Sequence, residues 1–179
     1  MTPHSASKIA GENILESYIN SYGLNGIIVR PFSIYGPRQN FRTIIPTIID
    51  QAIRSREIRL GKMDTERDFI YVDDVVDAMI KLSISKQLTE RIFNIGAAKS
   101  YRIDEVANIV LSFVGEEKKN LVFDAERIKT SMEDVQKCQA DIKRIKEAID
   151  WKPSCTIREG LEKTFTWYST FGFLEKDKL

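Results

Sequence analysis

At 179 residues, 42% of them hydrophobic, the chain has the length of one domain with an ordinary core. Its 27 Lys and Arg against 26 Asp and Glu leave a formal charge of +1, which gives no basic surplus for a nucleic acid or an anionic membrane, and no apolar run reaches the roughly 18 to 20 residues that span a bilayer. Two cysteines, Cys138 and Cys155, and one histidine, His4, exclude a disulfide framework and a His-rich metal centre, and the small polar residues from Met1 to Lys8 do not form a secretory core, so the expectation is a cytoplasmic, metal-free protein.

Ile9, Ala10, Ile14, Leu15, Tyr18 and Ile19 recur at helical spacing and predict a helix of about three turns. Gly23 and Gly26 suit its stop and the following turn. The β-branched run 26–32 reads as a strand buried on both faces of a parallel sheet, and 33–41, centred on Gly36-Pro37, as a loop. A loop placed just after such a strand lies where open α/β sheets bind ligands. Ile44, Ile45, Ile48, Ile49, Ala52 and Ile53 mark a second helix. Residues 67–72 form a short strand, after which Asp73-Asp74 supply a cap and negative charge to a helix carrying Val75, Val76, Met79 and Ile80. Residues 91–96 are strand-like again. Ile103, Val106, Ala107, Val110, Leu111 and Val114 fit a helix face, with Gly115 at its stop. Residues 121–123 make a strand and 141–149 a helix, and Ile157, Leu161, Phe165 and Tyr168 mark a last amphipathic helix. Alternation of this kind implies an α/β fold with a largely parallel sheet, of which four strands are visible.

Several stretches then fall in one order: Ser5-Ala6-Ser7-Lys8; Arg30-Pro31-Phe32-Ser33-Ile34-Tyr35-Gly36-Pro37-Arg38-Gln39; Arg67-Asp68-Phe69-Ile70-Tyr71-Val72-Asp73-Asp74; Phe93-Asn94-Ile95-Gly96; and Ala140-Asp141-Ile142 ahead of Asp150-Trp151-Lys152-Pro153. Together, over nearly the whole chain, they resemble the extended short-chain dehydrogenase/reductases, specifically the NAD-dependent nucleotide-sugar epimerases and dehydratases. The resemblance implies the C-terminal part of such an enzyme: an incomplete Rossmann-like parallel sheet plus the small substrate-binding α/β region. Residues 1–40 would then be the last part of the NAD-binding domain. Residues 41–179 would form the mixed substrate-binding region, with one strand-helix unit returning to the sheet. The Gly-rich turn that cradles the NAD pyrophosphate in that family has no counterpart in this sequence.

The resemblance also implies roles. Lys8 matches the lysine of the family's Tyr-x-x-x-Lys motif, which bonds the nicotinamide ribose and lowers the tyrosine's pKa. His4 occupies the tyrosine position. Two readings of it stay open, a residue without chemistry or an imidazole in place of the phenol, since an imidazole can take a proton near neutral pH. Pro31 and Phe32 present backbone to the nicotinamide carboxamide. Ser33 stands where many relatives place an asparagine that contacts substrate. Arg67 approaches the substrate diphosphate, a role that suits a guanidinium fork. The family's phosphate-binding arginine ahead of Asp134 is replaced by Ser131-Met132-Glu133, which leaves Arg127 or Lys129 as substitutes from a shifted loop.

Two functions follow as expectations. One is the C-terminal portion of an enzyme that abstracts hydride from a sugar carbon to NAD, giving a keto-sugar intermediate. The other is a catalytically inactive, truncated homologue that binds nucleotide sugars or partners. In both, the strand at 27–29 keeps an unpaired edge and the first helix lacks packing partners, so a homo-oligomer or an N-terminal partner chain is expected.

Overall fold

The computed structural model describes residues 2–55, 57–86, 88–114, 120–127 and 135–171. Helix α1 (Pro3–Tyr22) opens on Thr2, whose hydroxyl accepts the Ser5 N–H at 3.1 Å, with proline at a position where a missing N–H costs nothing. It stops at Gly23, which adopts φ 66° and returns its N–H to the Ile19 carbonyl. Its 20 residues exceed the expected three turns, because end capping and not apolar spacing sets its length. Nor does the apolar face become core. Ile19 is buried, whereas Ile14, Tyr18 and Tyr22 are 59%, 52% and 73% exposed.

Strand β1 (Ile28–Pro31) runs parallel to β5 (Ile92–Ile95), with Arg30 opposite Asn94. The expected burial on both faces is not found: Ile28 is buried, but Arg30 and Pro31 are exposed. Among the described residues β5 is the one strand paired to β1, and α1 leaves much of the strand open. The stretch expected to be a loop contains β2 (Ser33–Tyr35), which pairs in parallel with β4 (Glu66–Tyr71). Three residues beside Gly36-Pro37 are too few to show a period, and the buried Tyr35 ring is what pins them.

Helix α2 (Ile44–Arg54) buries Ile45, Ile48, Ile49 and Ala52 as its spacing predicts. Strand β3 (Glu57–Leu60) turns Ile58 and Leu60 inward and pairs with β7 (Asn120–Phe123). Helix α3 (Val72–Ile84) buries Val75, Ala78 and Leu82, while Val76, Met79 and Ile80 face outward. Strand β6 (Ser100–Arg102) joins β4 antiparallel, and β8 (Lys137–Cys138) joins the first residues of β4 in parallel. Helices α4 (Ile103–Leu111), α5 (Lys143–Ile149) and α6 (Ile157–Thr170) complete the elements. Eight strands are thus present among the described residues where four were expected, and every pairing except β4–β6 is parallel. Gly115, Lys129 and Asp134 lie outside the described residues.

Side chains alternate across β4, so it serves two cores. Phe69 and Tyr71 join Tyr35, Ile45, Val106 and Leu161 on one side. Ile70 joins Leu82, Phe93, Ile95, Ile145 and Trp151 on the other. Asp73 and Asp74 do not cap α3: the N-cap residue is Tyr71, without a side-chain bond. Asp74 is buried, and its carboxylate accepts the Ser154 N–H at 3.0 Å, the Ser154 hydroxyl at 2.7 Å and the Cys155 N–H at 3.1 Å. It thereby ties the segment before α6 to α3. Trp151 packs as expected, its indole N–H donating to Asp77 at 3.1 Å. No helix among the described residues is long and apolar enough to cross a membrane.

Candidate functional site

Between β1 and β2 the chain changes partners within two residues. The Phe32 N–H donates to Ile95 of β5 at 2.9 Å, and Ser33 already stands opposite Phe69 of β4. This crossing leaves an open cleft of about 540 Å³ between the carboxyl ends of β1 and β5 and the first residues of β2 and β4, a point where the chain switches strand partners. Pro31, Phe32, Ser33 and Arg67, four of the residues singled out from the sequence, line it together.

Arg30, Asn94, Val135 and Cys138 complete the lining, and the sequence reading assigned none of them a site role. Their placement comes from strand register: Arg30 is opposite Asn94, and Arg67 opposite Cys138. Such register is invisible to motif spacing. The nearest available signal was the Phe93-Asn94-Ile95-Gly96 stretch itself.

The Nη1 of Arg67 donates to the carbonyls of Glu66 at 2.8 Å and Val135 at 2.7 Å. The Glu66 carboxylate accepts the Ser100 hydroxyl at 2.6 Å and meets Lys137 at 2.9 Å, contacts that hold it below the usual carboxylate range. Arg30 donates from Nε at 2.7 Å and Nη2 at 2.5 Å to the two carboxylate oxygens of Glu12 on α1. That bond lowers the Glu12 pKa and raises that of Arg30. Asn94 donates to the Asp141 carbonyl at 3.3 Å. A polar hollow of about 250 Å³ adjoins the cleft, sharing Arg30 and Asn94 and adding Arg144.

His4 and Lys8 lie on the exposed N-terminal part of α1 and are not in the cleft lining. Four residues apart, they share one helix face. Arg127 ends the short 3₁₀ turn Ala125–Arg127 that follows β7. A groove of about 560 Å³ along α6, lined by Pro37, Trp167 and Phe171, is slightly larger than the cleft, but its charges are Glu159, Glu162 and Lys163. Two carboxylates make it a poor seat for a diphosphate, whereas the cleft lining carries no carboxylate and includes the Arg67 guanidinium.

The family model described as GDP-mannose 4,6 dehydratase matches residues 1–164. The chain belongs to this family. The nucleotide-sugar epimerases and dehydratases indicated by the sequence motifs are its relatives. This GDP-mannose 4,6 dehydratase family chain is 30% identical over 169 residues to UDP-glucuronate 4-epimerase of Thermodesulfobacterium geofontis, covering 93% of this chain and 50% of that relative. It is 26% identical, with a TM-score of 0.81, to the solved UDP-glucose 4-epimerase of Thermotoga maritima with UDP-glucose, covering 95% of this chain and 54% of the other. At 24% identity the dTDP-glucose 4,6-dehydratase of Bacillus anthracis, solved with NAD, shares the fold, with a TM-score of 0.81 over 97% of this chain and 54% of its own. The family chain spans about half the length of the curated relatives it matches.

Proposed function

We propose that this chain is the substrate-holding portion of an NAD-dependent nucleotide-sugar epimerase or dehydratase and carries one edge of the nicotinamide site. One observation carries the reading: Pro31, Phe32, Ser33 and Arg67 converge on a single cleft of ligand-binding size. Arg67 takes the diphosphate, since a guanidinium offers paired N–H donors to phosphate oxygens. The Ser33 hydroxyl serves the sugar.

The backbone beside the cleft fits a nicotinamide. Pro31 has no N–H and that of Phe32 is bound to Ile95, so the segment offers carbonyl oxygen, which matches the NH₂ of a carboxamide. Lys8 holds the ribose hydroxyls. Bound NAD would accept hydride from a sugar carbon and return it. His4, one helical turn before Lys8, takes the proton of the sugar hydroxyl. A second reading, a sugar-nucleotide-binding module without turnover, is favoured by a histidine where the motif has tyrosine.

In this account residues 1–40, apart from β2, and the returning strand β5 form the edge of the dinucleotide-binding sheet, and residues 41–179 otherwise form the substrate-binding region. The half-exposed apolar face of α1 and the edge of β1 left unpaired among the described residues receive the Gly-rich dinucleotide-binding portion, on the same chain or a partner.

The test is calorimetric titration with UDP-glucose, UDP-glucuronate and dTDP-glucose. At least one should bind, and Arg67→Ala should weaken the tightest of them about 10- to 100-fold, the scale of a lost charged hydrogen bond, with the melting temperature unchanged. Equal affinity in the variant, or no binding by the parent, sinks the proposal.

A further inference from the structure

Resting on that reading, we propose that Glu12 and Arg30 are a positioning pair that sets the helix carrying His4 and Lys8 against the wall of the cleft. Lys8 and Glu12 are one helical turn apart on the same face, separated by a rise of roughly 6 Å. Arg30 immediately precedes Pro31 on β1, and its side chain lines the cleft. The pair therefore joins the two elements that have to meet across a nicotinamide ribose.

Its geometry is that of a clamp. Nε and Nη2 of Arg30 reach separate oxygens of one Glu12 carboxylate at 2.7 and 2.5 Å. Two parallel bonds fix direction as well as distance, which a lysine could not do. Elsewhere α1 is held near its C-terminal end, where Leu15 and Ile19 lie against Gly26 and Ile19 is buried. Lys8 stands seven residues before Leu15, an arm of roughly 10 Å. A pivot of about 15° on that contact moves Lys8 by about 3 Å, beyond hydrogen-bond reach of a fixed ribose. An ion pair this exposed adds little to stability, so its effect falls on the orientation of α1 and not on the fold.

The experiment measures orientation without cofactor. In a Cys138→Ser/Cys155→Ser background, nitroxide labels at Ser7→Cys on α1 and Ser83→Cys on α3 report their separation by pulsed electron paramagnetic resonance. The parent should give one narrow distribution. Glu12→Gln should shift or broaden it by about 3 Å, the lever-arm displacement above, and the exchange Glu12→Arg/Arg30→Glu should restore it. A general loss of stability would lower the melting temperature without being undone by the exchange. A broad parent distribution, an unchanged Glu12→Gln distribution in folded protein, or an exchange that fails to restore it would each overturn the proposal. Failure of UDP-sugar binding leaves these distances untouched, so it would count against the cleft reading alone.

Discussion

Gly160→Ala is expected to destabilise the protein by about 3 kcal/mol, the upper part of the range for overpacking a filled core. In an exposed helix the same change would stabilise by about 1 kcal/mol, so the sign itself is diagnostic. A methyl group built on Gly160 would stand 2.1 Å from the Tyr35 hydroxyl oxygen, 2.8 Å from its Cζ and 3.0 Å from Cδ2 of Tyr71. Neither ring can yield easily. Tyr35 and Tyr71 are both buried and meet edge to face at 5.7 Å. Burial raises the Tyr35 phenol's pKa, so it remains a donor toward the Ile157 carbonyl at 3.4 Å. Thermal denaturation should show a fall of about 6–12 °C for a chain of this length. Adding Tyr35→Phe removes the atom nearest the new methyl and should recover at least half of the loss, a coupling that a double-mutant cycle isolates. A Gly160→Ala protein as stable as the parent would show that α6 does not pack on β2 at this distance.

The second large effect is expected at Asp68, which is 1% exposed. Its Oδ1 accepts the Ala97 N–H at 2.7 Å and its Oδ2 the Ala140 N–H at 3.0 Å. Burial raises this carboxyl's pKa, a rise that the N–H groups of Ala140 and Ala97 only partly offset. One side chain thus fastens the turn after β5 and the segment after β8 onto β4, next to Arg67. Asp68→Ala leaves both N–H groups unmet and should cost about 3–4 kcal/mol. Asp68→Asn keeps the shape but turns one NH₂ toward a backbone donor, so about 2 kcal/mol is expected. Urea denaturation of both variants checks this, and an asparagine variant within about 0.5 kcal/mol of the parent would contradict it.

The interior helices were legible because their burial follows their spacing. Ile103, Val106, Ala107 and Val110 repeat with the helical period, and all four are buried. Helix α1 shows why the same rule fails elsewhere: its apolar residues repeat, but most stay exposed among the described residues, so periodicity located a helix and misjudged its surroundings. The missed strands are short. In β3 only Ile58 and Leu60 alternate with charge, and β6 and β8 exist because β4 pairs with them across long sequence separations. The cleft divides along the same line. Pro31, Phe32, Ser33 and Arg67 sit in contiguous motifs and take roles from them, Asn94 sits in one that assigns it none, and Cys138 reaches the cleft through register alone. Asp73 and Asp74 misled because carboxylates near a helix start ordinarily cap it, and nothing local revealed that Asp74 would be needed by Ser154 and Cys155.

The central claim is that the cleft between β1, β4 and β8 receives the nucleotide sugar. Amide-resolved nuclear magnetic resonance during titration with UDP-glucose tests it most directly. Shift changes concentrated at Ser33, Arg67, Asn94 and Cys138 are expected. Changes that instead gather along α6 at Trp167 and Phe171, with the cleft residues unmoved at saturation, would contradict it.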